Sequence, residues 1–110
     1  MTRIKYNYIE HSKSEGIFVA EGEAALIIED NQIECNSDGI VLVNSDGQIR
    51  HNQIKQNSRS GVLTAGKTNA TLFDNWIEDS STGILIKDPS EPRLRDNKVQ
   101  KNNVQVEMER

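Results

Sequence analysis

Aliphatic residues along this chain fall in short runs of alternating polarity, with no stripe of 3.6-residue period, and so predict strands rather than helices. The runs recur. Ile4, Ile28, Ile49, Leu72 and Leu94 each stand three residues before an asparagine, and Ile9, Ile33, Ile54, Ile77 and Val99 each stand two residues after it. Those asparagines, Asn7, Asn31, Asn52, Asn75 and Asn97, are spaced by 24, 21, 23 and 22 residues. A second marker, glycine before an aliphatic-x-aliphatic triplet, falls at Gly16, Gly39, Gly61 and Gly83, with spacings of 23, 22 and 22. Two independent markers therefore share one period.

Units of this length cannot bury an apolar face alone and must stack on their neighbours. The predicted fold is all-β, a right-handed parallel β-helix of about five coils of roughly 22 residues, with residues 1–110 as a single domain. Asparagine tolerates the left-handed backbone of a sharp corner, and its amide both donates and accepts, so the Asn column predicts a ladder up the axis. Five residues on, Ser12, Asn36, Asn57, Ser80 and Asn102 mark a second corner, and the glycines a third bend. Alternation sends Ile28, Ile33, Ile40 and Leu42, then Ile49, Ile54 and Val62, into the core.

A leucine-rich repeat has an overlapping length, and its Leu-x-x-Asn-x-Leu stretch fits Ile28 to Ile33. The β-branched runs after Gly39 and Gly83 decide for strands where that repeat would place a helix or loop. At the ends, coil one starts mid-turn at Arg3-Ile4, whereas coil five loses its glycine and closes in a charged tail that reads as a fading cap. No cap precedes the first coil. The chain thus reads as a piece of a longer solenoid, marginal alone or prone to associate end to end.

Composition narrows the functional classes. Twelve Ile and seven Val against six Leu suit strands. Thirteen basic against 17 acidic residues give a net charge of −4 without a basic cluster, which argues against nucleic acid as a partner. A single cysteine, Cys35, forms no internal disulfide, and no signal region or bilayer-length apolar run is evident, so an intracellular, non-membrane protein is expected.

The repeat, carried by Asn31, Asn52, Asn75, Gly39, Gly61 and Gly83, resembles the parallel β-helix repeats of carbohydrate-binding and sugar-hydrolase (CASH) type domains. The same motif occurs in β-helical F-box proteins, where the solenoid presents a substrate-recognition platform. It occurs too in periplasmic copper-maturation proteins and in polysaccharide lyases and epimerases. The resemblance implies a fold; it assigns no catalytic residue.

Carbohydrate chemistry on such a fold wants clustered carboxylates with a nearby base. The column before the Asn ladder, Tyr6, Asp30, His51, Asp74 and Asp96, holds the candidates: His51, Asp74 and Asp96 on successive coils. The plainer account is that these are polar turn residues. Tyr8 and Trp76 share an outward column as candidate sugar platforms, three coils apart with Gln32 and Gln53 between. His11 and Cys35 occupy equivalent positions of adjacent coils, too few ligands for a metal site, and no cofactor is expected. Glu29 and Arg50, and Glu34, Lys55 and Glu78, read as paired charges on outer columns.

One outer column is apolar. If Ile17, Ile40, Val62 and Ile84 point inward, Phe18, Val41, Leu63 and Leu85 point outward, extended by Ala20, Val43 and Ala65. An exposed strip of this kind marks a partner surface, unless the loops at Glu21 to Ala25, Asn44 to Gly47 and Gly66 to Ala70 fold over it. The sequence thus favours a non-enzymatic interaction or scaffold module whose partner is protein or further coils. The alternative is a carbohydrate-binding or carbohydrate-processing solenoid.

Overall fold

The computed structural model describes residues 2–20 and 26–109. In chain order the first coil holds β1 (Arg3–Lys5), β2 (Tyr8–Glu10) and β3 (Glu15–Ala20). The second holds β4 (Leu26–Glu29), β5 (Gln32–Glu34) and β6 (Asp38–Val43), and the third β7 (Gly47–Arg50), β8 (Gln53–Lys55) and β9 (Ser60–Ala65). The fourth holds β10 (Thr71–Phe73), β11 (Trp76–Glu78) and β12 (Thr82–Lys87), and the fifth β13 (Arg93–Arg95), β14 (Lys98–Gln100) and β15 (Val104–Glu109). Every strand pairs in parallel with its counterpart one coil away, giving sheet A (β1-β4-β7-β10-β13), sheet B (β2-β5-β8-β11-β14) and sheet C (β3-β6-β9-β12-β15). The predicted parallel solenoid is the observed architecture.

Register follows from period-2 alternation, because a slip of one residue would turn each core column outward. Four columns fill the interior: Ile4, Ile28, Ile49, Leu72, Leu94 from sheet A; Ile9, Ile33, Ile54, Ile77, Val99 from sheet B. Sheet C supplies Ile17, Ile40, Val62, Ile84, Val106 and, two residues on, Val19, Leu42, Thr64, Ile86, Met108. All seven residues predicted inward between Ile28 and Val62 are fully buried. Thr64 is a polar member of an otherwise apolar column. Its hydroxyl meets that of Ser90 at 3.0 Å, and Ser90 also donates to the Lys87 carbonyl at 2.7 Å, so the buried oxygens are paired.

Three sequence expectations change. The C-terminal segment is no fading cap: β15 is a six-residue strand paired with β12, the full third side of the fifth coil. Nor do the repeat glycines bend the chain, since Gly16, Gly39, Gly61 and Gly83 lie within β3, β6, β9 and β12, and among the described glycines only Gly66 has positive φ. Their requirement is space. A Cβ on Gly61 would stand 2.5 Å from Ile77 Cγ2 and 2.7 Å from the Gly83 carbonyl.

The third change concerns the first corner. Its left-handed residue is the one before each asparagine: Tyr6, Asp30, His51, Asp74 and Asp96 have φ of 60, 56, 56, 54 and 54°. The chain turns there, and the following asparagine then directs its amide inward. The second corner repeats the device with His11, Cys35, Gln56, Asp79 and Lys101.

Candidate functional site

The inner face of the first corner is a continuous ladder. Asn31 donates Nδ2 to Asn52 Oδ1 at 3.0 Å and to the Ile4 carbonyl at 2.9 Å, and its backbone N–H reaches Asn52 Oδ1 at 3.0 Å. Asn52 repeats this toward Asn75 and Ile28, and Asn75 toward Asn97 and Ile49. This is a structural use of asparagine: the amides of Asn31, Asn52 and Asn75 both donate and accept within the protein.

The candidate carbohydrate site sits on the outside of the same corner. His51 Nδ1 approaches Asp74 Oδ2 at 4.0 Å, with both side chains about half exposed, and the His51 ring packs edge-on against Phe73 at 5.4 Å. Asp96 turns to Arg95 at 3.7 Å. The column is thus aligned as predicted, but its chemistry has a backbone explanation: Asp and His are among the residues that best accept the left-handed conformation the corner imposes. At the second corner His11 turns to Glu10 at 3.5 Å, and Cys35 Sγ lies 3.7 Å from Gln56 Oε1. Among the described residues no group of three His, Cys, Asp or Glu could hold a metal ion.

Trp76 and Tyr8 stand in one column of sheet B, as expected. The Trp76 ring is engaged by ammonium groups, Lys55 at 4.3 Å and Lys98 at 4.6 Å, so a sugar would have to displace them to stack there. The indole N–H donates to Glu78, and the Tyr8 hydroxyl donates to Glu34, a bond that pushes the Tyr8 phenol above its usual range. Glu34, Lys55 and Glu78 are therefore in register, but Lys55 lies over Trp76 rather than bridging its two acidic neighbours. Glu29 accepts from Arg50 Nε at 2.8 Å, with Lys5 at 3.4 Å, and the Arg50 bond holds its carboxyl below the usual carboxylate range.

Two buried polar sites were not anticipated. Asp38, almost wholly buried, takes a two-pronged contact from Arg59 at 3.1 and 2.6 Å and a bond from Ser60 Oγ at 2.5 Å. The third corner carries a column of buried hydroxyl residues, Ser45, Thr68 and Ser90. A Ser or Thr recurring every 22 or 23 residues through three otherwise dissimilar loops was the available signal.

The apolar strip forms in register, Phe18 beside Val41, Leu63 and Leu85 on the outer face of sheet C. Its exposure differs from expectation. Val41 and Leu63 are only 5% and 6% exposed, whereas Phe18, at the end of the stack, is 54% exposed. Val41 and Leu63 are inner members of the column and Phe18 is its first member. The expected cover at Asn44 to Gly47 and Gly66 to Ala70 lies at the third corner, and the segment Glu21 to Ala25 falls outside the described residues. The strip is thus not a broad exposed patch.

Exposed large apolar side chains fall mainly in the first and last described coils, Tyr6, Tyr8 and Phe18 in one and Leu94, Val104, Val106 and Met108 in the other. Leu94, Val106 and Met108 continue core columns, yet they are 40%, 43% and 53% exposed. Leu94 and Val106, with Ile84 and Val99, line a cavity of about 220 Å³ rimmed by Arg95, Asp96 and Asn97. Around it run β13, β14 and β15, each the last strand of its sheet. Among the described residues no helix is long and apolar enough to cross a membrane. Residues 1–109 match a family model described as a right-handed β-helix region. No curated protein and no solved structure matches the chain.

Proposed function

The chain belongs to the right-handed β-helix family, and from that premise we propose that it is a non-enzymatic protein-interaction or scaffold module whose last described coil engages protein, a partner chain or further coils of its own. One observation carries this reading: core columns that are fully buried through the middle coils emerge at Leu94, Val106 and Met108 beside the outer strands of three sheets. Such an end offers both terms of strand addition. Backbone groups along the outer edges of β13 and β14 supply directional hydrogen bonds, and open core positions supply apolar area. The Phe18 end of the outer strip is a smaller contact of the same kind.

The test is cross-linking mass spectrometry of the whole protein in its host, with amine-reactive reagents that target Lys98 and Lys101 beside this end. Protein cross-links from these lysines are expected in the parent, and Leu94→Asp with Val106→Asp should abolish them while preserving the β-sheet circular dichroism. Cross-links unchanged by that double substitution would remove the end as the interface. Retention on a polysaccharide matrix, lost on joint substitution of His51 and Asp74 by Ala, would replace this reading with a carbohydrate-binding one.

A further inference from the structure

Going beyond that reading to another surface, we infer that the outer face of sheet A binds an acidic protein segment, an extended chain lying along the solenoid axis with a carboxylate at every third residue.

Each strand of sheet A places two side chains on the outside, and the register stacks them into two columns. One column holds Lys5, Glu29, Arg50, Phe73 and Arg95; the other holds Arg3 and Arg93 in the first and fifth coils, with uncharged residues between. Five cations against the one carboxylate of Glu29 give this face a net charge of +4, in a chain whose total is −4. Outward positions of sheet B carry two lysines against three glutamates, and those of sheet C one lysine against two. The cations come singly or in pairs from coils one, three and five, so they form no cluster along the sequence and are gathered only by winding. Glu29 does not neutralise them. Itself buried, it accepts from Arg50 Nε at 2.8 Å with Lys5 at 3.4 Å and Arg3 at 3.8 Å, three cations to one anion, while Arg93 and Arg95 stand exposed. The face is lateral, so its position is independent of what stacks on the first or last coil.

Shape selects the ligand. Two outward residues per strand set the columns ~6.6 Å apart, and five strands at ~4.8 Å make the strip ~19 Å long. Along one side runs the first corner with its exposed Asp30, Asp74 and Asp96, the last 3.7 Å from Arg95. That acidic border opposes a broad polyanion such as a nucleic-acid duplex or an anionic bilayer, and leaves room for a single chain. Lys5, Arg50 and Arg95 recur at every second coil of one column, ~9.6 Å apart. A polyproline II chain rises ~3.1 Å per residue with three residues per turn, so every third side chain returns to the same side after ~9.3 Å. A β-strand repeats at ~6.6 Å, out of step with the cations. Between Arg50 and Arg95 stands the half-buried ring of Phe73. A polypeptide brings carboxylates and apolar side chains at set intervals, whereas an acidic polysaccharide has no apolar side chain to offer.

Fluorescence anisotropy tests this with the whole protein and a labelled seven-residue peptide that has glutamate at its first, fourth and seventh positions and proline and leucine between. Binding is expected, and it should weaken as salt is added. Arg93→Gln with Arg95→Gln should reduce affinity roughly tenfold with unchanged β-sheet circular dichroism. Lys13→Gln with Lys101→Gln removes the same charge at the corner between sheets B and C and should bind as the parent does. On the parent protein itself, a peptide of the same composition with its glutamates adjacent should bind more weakly than the spaced one.

Absence of binding by the spaced peptide overturns the inference. An equal loss in the two double variants does so too, since the attraction would then be one of net charge, as does equal affinity for the two peptides. Tighter binding of polygalacturonate or of a short DNA duplex, dependent on Arg93 and Arg95, would assign the face to that polyanion instead. Cross-links in the host depend on Leu94 and Val106 and the peptide on Arg93 and Arg95, so the interaction reading and this one can each fail alone.

Discussion

At the corner between sheets A and B, five asparagines run the height of the solenoid without a break. Their Nδ2-to-Oδ1 bonds span 2.9 to 3.1 Å, and from Asn31 to Asn97 each Nδ2 also reaches a carbonyl at 2.8 to 3.0 Å. At the corner between sheets B and C the column is Ser12, Asn36, Asn57, Ser80, Asn102. Its one Nδ2-to-Oδ1 bond is 3.3 Å, and the amide-to-carbonyl contacts of Asn36, Asn57 and Asn102 stretch to 3.4, 3.5 and 3.3 Å. Ser80 interrupts it, too short to reproduce the amide, and its buried hydroxyl is without a hydrogen-bond partner. Gly16, Gly39 and Gly83 lie against this second column, where a Cβ would approach the Nδ2 of Asn36, Asn57 and Asn102 to between 2.9 and 3.0 Å. The same side chain therefore serves two corners unequally. Hydrogen bonds weaken as they lengthen, and a buried group left unpaired costs more than a made bond returns.

The largest test of that difference is paired deletion. Asn52→Ala strips partners from the Asn31 amide, the Ile28 carbonyl and Asn75 Oδ1 together, so urea unfolding should show a loss of about 3 kcal/mol. Asn57→Ala, at the looser corner, should lose about half of that. Equal losses would mean that the two ladders are energetically alike and that bond length is no guide here.

Repair should have a smaller effect of opposite sign. Ser80→Asn restores an acceptor next to Asn57 and the alternating amide series, and should raise stability by about 1 kcal/mol in the same assay. Should it destabilise instead, the space beside Gly61 is too small for an amide, and the serine is there for packing.

The smallest effect concerns the outer, left-handed residues. The first corner places Asp or His at four of five such positions, whereas the second places Cys35, Gln56 and Lys101 at three of five. Since Asn and Asp enter this conformation at least cost apart from Gly, Gln56→Asn should gain about 0.5 kcal/mol and Asp74→Gln should lose a similar amount. If Asp74→Gln is neutral for stability but removes binding to a polysaccharide, the column before the ladder is chemical and not conformational.

Much of this fold was legible because the repeat states it twice, once in Asn31, Asn52 and Asn75 and once in Gly39, Gly61 and Gly83, with alternation assigning Ile28, Ile33, Ile40 and Leu42 inward. Corner geometry was legible only to within one residue. An Asn in such a motif could supply either the backbone turn or the ladder amide; it supplies the amide, and the residue before it supplies the turn. Position in the stack was not legible at all. Leu63 and Phe18 occupy one column, yet one is buried and the other exposed, a difference that residue type and period do not carry.

By itself, then, the sequence determined what is periodic: strand number, register, inward columns and the parallel solenoid, since each depends only on residue type repeating at a constant step. Tertiary structure alone decided what is not periodic. Thr64 finding Ser90, Asp38 finding Arg59 and Ser60, and Lys55 and Lys98 flanking Trp76 all depend on which side chains three-dimensional winding brings face to face. A one-dimensional repeat does not carry these pairings, because they join side chains whose types do not recur from coil to coil.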